Sequence, residues 1–359
     1  GHFATSYRGI EDSYHMFLQN QFFRANAVGS FADLVCGIVR DPAMLRYMNS
    51  DQNRKENPNE NLARELMELF VLGEGNFYTE SDIKEGARAL TGHTFRDDQF
   101  LFRSEWHDDQ PKRILGQVGN WDGTDFCNII LSHKAASEFI CWKLYRFFVN
   151  DLPGPPTDEA QSFIVKLAKR MRERKYGVRT VLKTLFMSEH FHDPSNMACQ
   201  VKSPIQLLVQ AIRSLSLPQR SLRALLNASD LMGQNIFFPP SVKGWDGGRA
   251  WINTSTLFVR HNVMVYLLTG RRPDAYAWQA DGTPCELTGL IEHLASETGR
   301  IEPADAATYL LRFALGARPH PQRVETLVKF VEDQGGTLNN DMLVGMLALI
   351  SAMPEYQLC

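Results

Sequence analysis

The residues best suited to chemistry are carboxylates near the start of a predicted helix. The run NPNENLARELMELF at 57–70 places amides, glutamates and Arg64 along a helical pattern. Glutamates act as general acids or bases, and a nearby arginine shifts their pKa. The candidate catalytic glutamates are Glu60, Glu65 and Glu68. A structural alternative stays open, because the same residues fit a solvated face of ion pairs with asparagines capping the helix.

A second concentration of chemical groups is the predicted loop HDDQPK at 107–112. A histidine beside two acids and a lysine can transfer protons or contribute to a metal ligand set. We take His107 as the fourth catalytic candidate, because loops on rigid scaffolds often carry function. The alternative is a solvated polar loop. Arg88, on a helix predicted near 79–90, is interpreted as a partner for a carboxylate of the preceding helix.

The run FFPPSVKGWDGGRAWINTST at 237–256 contains two prolines, three glycines and two tryptophans. A long loop of this kind is costly to order unless it packs on something, so we expect it to wall a site. Its aromatic and polar side chains suit stacking on sugars, whereas Trp251 is expected to fill the core. The candidate substrate-binding residues are Asn59, Asn61, Arg64, Arg88, Lys112, Trp245, Arg249 and Asn253. No residues are assigned to a metal, and the cofactor is left open.

Helices must position these side chains, because the apolar periodicity is helical along almost the whole chain. A helix after Pro58 is predicted to end before Gly73. Only 94–118 differs, where FLF at 100–102 and RIL at 113–115 flank a polar turn. The predicted fold class is mainly α, a multi-helical globular array with one small β-hairpin insertion near 94–118. Further helices are predicted near 124–132, 134–149, 157–173, 177–188, 202–215, 219–232, 254–269, 286–296, 303–314, 319–333 and 339–351.

The domain organisation is predicted from length and linker composition. A chain of 359 residues has room for two or three domains or for one large one. Residues 1–269 are predicted to form the main helical domain, which carries the motifs above. The stretch 270–284 (GRRPDAYAWQADGTP) predicts a linker, and 285–359 a carboxy-terminal helical cap packed on the main domain.

Composition excludes several classes of function. With 38 basic and 41 acidic residues, the formal net charge of −3 gives no electrostatic basis for nucleic-acid binding. No stretch approaches the roughly 20 apolar residues of a membrane helix. The cysteines form no CxxC pair, which argues against a zinc ribbon, and Cys36, Cys127 and Cys141 are interpreted as buried small hydrophobes. Nucleotide, zincin and serine-hydrolase signatures are absent.

Long motifs extend over nearly the whole chain: PNENLARELMELFVLGEGNFYTESDIKEGARALTGHTF (58–95), HDDQPKRILGQVGNWDG (107–123), KSPIQLL (202–208) and MGQNIFFPPSVKGWDGGRAWINTSTLFVRHN (232–262). They resemble a bacterial family catalogued as domain of unknown function 1800. The resemblance implies a mostly helical protein, usually exported, so the expected location is periplasmic or extracellular. Members are often encoded beside proteins similar to the alkaline phosphatase/sulfatase superfamily, which makes such a protein a candidate partner. Members usually carry a further amino-terminal helical region, and we expect it to precede the His2-Phe3 step.

Three functions fit these observations. The first is an exported enzyme acting on a polysaccharide or its modifications through a carboxylate-lined pocket, which requires at least one of the three glutamates to be buried with a raised pKa. The second is a non-catalytic scaffold that docks a phosphatase/sulfatase-like protein through an aromatic-rich face. The third is a metal-dependent enzyme using His2, His107 and nearby carboxylates. Concentrated polar motifs favour an enzyme, although no motif names a reaction.

Overall fold

The protein is mainly α-helical, as the sequence predicts. A computed structural model describes residues 1–75, 77–151, 154–280, 282–290, 292–293, 301–316 and 318–359. Helices account for 58% of the residues, and the described ranges contain two small antiparallel hairpins. The described residues form two compact units. The first unit is Gly1–Met197 with Phe237–Asp246, and the second is Ala198–Ile236 with Gly247–Cys359.

The first unit contains ten helices among its described residues, and their caps follow the polar residues that the sequence provides. Thr79 and Asp82 form a reciprocal capping box at the start of α6, and Asp122 and Asp125 form another at α7. The helices are α1 (Tyr7–Ile10), α2 (Ser13–Asn26), α3 (Phe31–Ile38), α4 (Pro42–Tyr47), α5 (Asn61–Glu65), α6 (Glu80–Ala89), α7 (Gly123–Ser132), α8 (Lys134–Phe148), α9 (Asp158–Glu173) and α10 (Val178–Phe186).

Helix α5 continues without a break into a π-helical segment, Leu66–Val71, at the centre of the first core. The six apolar side chains of this stretch that face the core are fully buried: Leu62, Ala63, Leu66, Met67, Phe70 and Val71. The segment is followed by Gly73, whose φ of +86° belongs to the left-handed region. A Cβ at Gly73 would lie 2.6 Å from the ring of Phe139, so glycine is required both for the turn and for this contact.

The β insertion contains two hairpins, and the predicted single hairpin is therefore wrong in its pairing. Strand β1 (His93–Arg96) pairs with β2 (Gln99–Phe102), and β3 (Lys112–Ile114) pairs with β4 (Gln117–Gly119), each antiparallel. The two apolar runs expected to pair with each other instead take partners next to them in sequence. Short local turns close each hairpin, and local closure costs less chain entropy than pairing across the loop.

The second unit has its own apolar core. Its described helices are α11 (Pro204–Ser214), α12 (Leu222–Leu231), α13 (Thr254–Thr269), α14 (Pro303–Leu315), α15 (Pro321–Asp333) and α16 (Asn340–Ser351). The stretch 270–284 that we predicted as a linker lies inside this unit. Trp278 is buried there and stacks on Tyr276 at 4.3 Å, and the N–H of Cys285 donates to the carbonyl of Leu268. Part of the helix predicted at 286–296 (291 and 294–296) lies outside the described residues.

Two predictions from composition are also tested by the structure. None of the helices in the described part of the chain is both long and apolar enough to cross a membrane. Cys127 and Cys141 are fully buried, as predicted, whereas Cys36 is half-buried. The neighbouring thiol group of Cys127 lowers the pKa of Cys36 to about 7.

Candidate functional site

Arg64 gathers three glutamates around one guanidinium group. Its Nη atoms lie 3.1 Å from Glu60, 3.3 Å from Glu68 and 2.7 Å from Glu80, and the contact with Glu80 is bidentate. The hydrogen bonds from Arg64 lower the pKa of Glu80. Two of the three predicted catalytic glutamates, Glu60 and Glu68, are thus held in ion pairs at i,i+4 spacing, the structural alternative that the sequence had left open.

The predicted substrate-binding asparagines hold the backbone at the start of α5. The side chain of Asn59 accepts from the N–H of Asn61 and donates to the carbonyl of Asn49. The side-chain amide of Asn61 donates to the carbonyl of Met48 at 3.3 Å. These bonds satisfy backbone groups that a helix end leaves open, and they tie α5 to the end of α4.

Glu65 differs from its two neighbours because it has no such partner. Its side chain is half-buried, and Oε2 is buried with no hydrogen-bond partner among the described residues. Burial raises the pKa of Glu65, and the negative charge of Glu68 raises it further. A carboxyl group in this environment favours its protonated form, which can donate a proton.

Glu65 is also the last residue of α5, directly before the π-helical segment. π-Helical turns are rare and often occur at functional sites. Two half-buried tyrosines lie near this helix. The pKa of Tyr47 is raised mainly by burial and to a smaller extent by the charge of Glu65. The pKa of Tyr78 is raised mainly by burial and to a smaller extent by the charge of Glu68. The candidate site is therefore a half-buried carboxyl group with a raised pKa and an oxygen without a described partner, and the charges of Glu65 and Glu68 act on two tyrosines.

The predicted residues Arg88 and Lys112 meet at Asp108, a residue that was not among the site predictions. Arg88 binds Asp108 in a bidentate manner (Nε to Oδ2 2.7 Å, Nη2 to Oδ1 3.2 Å) and also contacts Glu85. The expectation that Arg88 would pair with a carboxylate of the preceding helix is wrong, since its partners belong to α6 and the following loop. Burial alone would raise the pKa of Asp108, but hydrogen bonds from Arg88 and the N–H of Gln110 lower it.

Lys112 is 1% exposed, and its ammonium group donates to the carbonyls of Asp108 (2.5 Å) and Gln110 (3.1 Å). Burial lowers its pKa. His107 is held through Nδ1 by the carbonyl of Thr91 at 2.8 Å, and the hydroxyl of Thr91 accepts from the N–H of Asp108. The contacts of His107 and Asp108 with Thr91 fix the loop to the end of α6, and those of Lys112 lie within the loop. The polar loop at 107–112 is therefore ordered largely by its own side chains.

The segment 237–256 is divided between the two units. Its first part, with half-buried Trp245, belongs to the first unit, and the part from Gly247 onward belongs to the second. Trp251 is buried, as predicted. Asn253 caps α13 in a reciprocal box with Thr256, and Arg249 is exposed. The single wall expected from the sequence is therefore not a continuous feature of one unit.

The ligand set expected for a metal-dependent enzyme is not formed by His2 and His107. Nε2 of His2 bonds the carbonyl of Phe70 at 2.8 Å, and burial lowers the pKa of His2 to about 3. Within the described ranges, the group of three side chains with suitable spacing is Asp12, His15 and Asp98. This group was not among the residues predicted from the sequence. The Asp-x-x-His spacing at a helix start was a signal, but nothing in the sequence pointed to its third member.

A small cavity lies in the second unit, with a volume of about 30 Å³. It is lined by side chains of α11, α13, α14 and α16, among them Gln210, Ser214, Met264 and Phe313. This volume accommodates one or two water molecules, whereas small-molecule sites span hundreds of cubic ångströms. The cavity is therefore no substrate site.

The fold and the site define a mainly α protein with a protonatable glutamate at an α-to-π transition. The chain belongs to the family described as "Protein of unknown function (DUF1800)", whose model matches residues 1–358. This confirms the resemblance seen in the sequence motifs. No curated protein and no solved structure matches the chain.

Proposed function

We propose that this protein is an exported enzyme that acts on a polysaccharide or its substituents, with Glu65 as the general acid. The observation that carries the proposal is the buried, unpartnered Oε2 of Glu65 together with its raised pKa. A structural carboxylate would be paired, as Glu60 and Glu68 are with Arg64. Perturbed carboxyl groups of this kind cluster at functional sites.

The two neighbouring carboxyl groups supply complementary chemistry. Glu65 and Glu68 are one helical turn apart, and Arg64 pairs with Glu68 rather than with Glu65. A protonated acid beside a charged carboxylate is the arrangement with which enzymes cleave glycosidic bonds, since one group protonates the leaving oxygen while the other stabilises positive charge or activates water. In this proposal Arg64 positions Glu68 through their ion pair.

A polysaccharide is the proposed substrate class because of the groups around the acid. The charge of Glu65 raises the pKa of Tyr47 and that of Glu68 raises the pKa of Tyr78, so two phenol groups lie within electrostatic reach of the two carboxyl groups. Aromatic faces combined with hydrogen-bonding tips suit sugars, which have apolar faces and hydroxyl edges. The proposed location, periplasmic or extracellular, rests on the resemblance of the motifs to an exported family and agrees with an extracellular polymer as substrate.

The test is an activity screen with a matched pair of variants. The purified protein is incubated with a panel of bacterial and plant polysaccharides, and released reducing ends, acetate and sulfate are measured. On any substrate that is turned over, we expect Glu65→Gln to lower kcat by about 10²–10⁴-fold, the usual contribution of a general acid. Glu60→Gln is the control, because Glu60 is the N-cap residue of the same helix but is ion-paired.

The pH profile gives the second readout. Activity should fall on the alkaline side as Glu65 loses its proton, and this limb should vanish in Glu65→Gln. If no polymer of the panel is turned over, or if Glu65→Gln and Glu60→Gln retain equal activity, the proposal is wrong.

A second candidate function, a docking scaffold, is favoured by one observation in the second unit. Helices α12 and α13 pack together and leave large apolar side chains exposed, among them Leu222 (70% exposed) and Phe258 (60%). Exposed apolar patches often mark interaction sites. We propose a phosphatase/sulfatase-superfamily-like protein as the partner, because such proteins are often encoded beside members of the family that the motifs resemble.

Copurification of the two proteins tests this second proposal. Leu222→Glu and Phe258→Glu should each weaken the complex, since a charge on a buried interface patch is costly. Leu349→Glu on α16 is the control, because Leu349 is also an exposed leucine but lies on another helix. Absence of a complex with the wild-type chain rejects the idea.

A further inference from the structure

Three side chains from two separate elements of the first unit converge around one imidazole ring. Asp12 is the N-cap residue of α2, and His15 lies in the first turn of the same helix. Asp98 is the second residue of the two-residue turn between β1 and β2. One ligand atom of each side chain lies within 4.8 Å of the other two. The cluster therefore joins the start of α2 to the tip of the hairpin.

His15 is the unusual member of this cluster. Its side chain is 4% exposed, and Nε2 lies 2.7 Å from Oδ1 of Asp98 while Nδ1 lies 3.5 Å from Oδ2 of Asp12. Nevertheless, neither ring nitrogen makes a hydrogen bond of acceptable geometry to any residue that the structure describes. Buried polar atoms normally have partners, so two unpartnered nitrogens on one buried ring, both facing carboxylates, require an explanation.

The charges around the ring are mainly negative. Oδ1 of Asp12 is occupied by the N–H groups of Tyr14 and His15, which leaves Oδ2 to face the imidazole. Asp98 is partly exposed. A third carboxylate, Asp41, lies within electrostatic reach of His15, which acts to lower the pKa of Asp41. The positive group nearby is Arg46, which acts on Asp12 and lies over the ring of Phe95. A cation between these carboxylates would be favoured.

We propose that Asp12, His15 and Asp98 bind a divalent transition-metal ion, with zinc as the best match. An imidazole nitrogen with two carboxylate oxygens is a borderline ligand set that suits Zn²⁺ better than the oxygen-only preference of Ca²⁺ or Mg²⁺. Three protein ligands leave the remaining coordination position to water. A metal bound to one ring nitrogen also gives the buried imidazole the partner that the protein alone does not provide.

The consequence of such a site is structural. The turn residues Asp97 and Asp98 both have positive φ (48° and 64°), a conformation that non-glycine residues adopt reluctantly. A metal that ties Asp98 to His15 would hold this turn and fix the hairpin against α2. The proposal is independent of the role proposed for Glu65, because it concerns different residues and is tested without a substrate.

The experiment is a calorimetric titration of the full chain with ZnCl₂ after treatment with a chelator and removal of the chelator. We expect one equivalent of Zn²⁺ to bind to the wild type and its affinity to fall at least about tenfold in Asp98→Asn and in His15→Gln. Asp97→Asn is the matched control, because it removes the same charge from the same turn. Asparagine tolerates positive φ, so neither turn variant disturbs the backbone.

A second readout identifies the ligand directly. The ¹⁵N chemical shift of one ring nitrogen of His15 should move on addition of Zn²⁺ in the wild type. The proposal is overturned if the wild type binds no zinc, if Asp98→Asn and His15→Gln bind it as tightly as the wild type, or if Asp97→Asn weakens binding as much as Asp98→Asn. A ring that is doubly protonated and unaffected by zinc would show a simple ion pair instead.

Discussion

Two polar regions of the first unit, the loop at 107–112 and helix α5, both contain residues predicted from the sequence to be catalytic. In the structure they differ in how fully their charged groups are hydrogen-bonded. In the loop at 107–112, Lys112 and Asp108 are almost buried, and each is held by several hydrogen bonds. In α5, Glu65 is buried less deeply but keeps one oxygen without a partner among the described residues. The comparison teaches that burial of a charged group says little about function, whereas burial without a partner is informative.

The largest effect expected from this comparison is the loss of stability in Lys112→Met. Methionine keeps most of the apolar stem but removes the ammonium group that bonds the carbonyls of Asp108 and Gln110. We expect the free energy of unfolding to fall by about 2–4 kcal/mol, because two charge-assisted bonds are lost and part-buried carbonyls lose their donor. Urea unfolding measures it, and a change below about 0.5 kcal/mol would show that the loop is held by other contacts.

A smaller effect of the opposite sign is expected at Glu65. The folded-state pKa of Glu65 is raised by burial and by Glu68, so its contribution to stability is full below the ordinary value of 4.5 and is lost as pH rises through the raised pKa. Glu65→Gln has no carboxyl group, so it does not lose stability in this way as pH rises. The melting temperature of Glu65→Gln minus that of the wild type should therefore be larger at pH 7 than at pH 4. Thermal unfolding at both pH values checks it, and an equal difference at both would mean that Glu65 is solvated.

The smallest effect is expected at Glu60, which is the N-cap residue of the helix that ends at Glu65 but is ion-paired near the surface. Its contact with Arg64 at 3.1 Å is one of three that the guanidinium group makes. Glu60→Gln should change the free energy of unfolding by less than about 0.5 kcal/mol, since exposed pairs are weak and screened by salt. Urea unfolding at low and high salt measures this. A larger loss would show that the Arg64 cluster is a cooperative network.

Much of the fold could be predicted from local signals. Helix α13 begins and ends where the sequence indicates, because Asn253 caps its start and Gly270 stops it in the left-handed region. The hairpins could not be paired correctly, since FLF and RIL each have equally suitable neighbours on both sides. The π-helical segment carries an ordinary apolar helix pattern, and its geometry depends on how Phe70 and Val71 fill the core.

The sequence predicted the three glutamates of the candidate site together, but it did not indicate which of them would be without an ion-pair partner. Glu60, Glu65 and Glu68 are chemically identical, and their differences arise from burial and from which of them Arg64 reaches. The spacing allowed Arg64 to pair with Glu60 or Glu68 at i,i+4, but Glu80 came from the next helix. Asp98 and His15 are far apart in sequence, so their proximity depends on the packing of the hairpin, which no local pattern encodes.

Because Leu66–Val71 is π-helical, deleting a single residue from this segment would change the direction of the side chains on either side of it. A π turn holds one residue more than an α turn, and each residue of an α-helix advances the direction of the side chains by about 100°. Deleting one residue from Leu66–Val71 would restore regular α-helix but rotate Glu65 on one side against Phe70 on the other. One of them would then leave its present environment. The extra residue thus changes the direction of the side chains along the helix, so that Phe70 points into the buried core while Glu65 keeps its present environment.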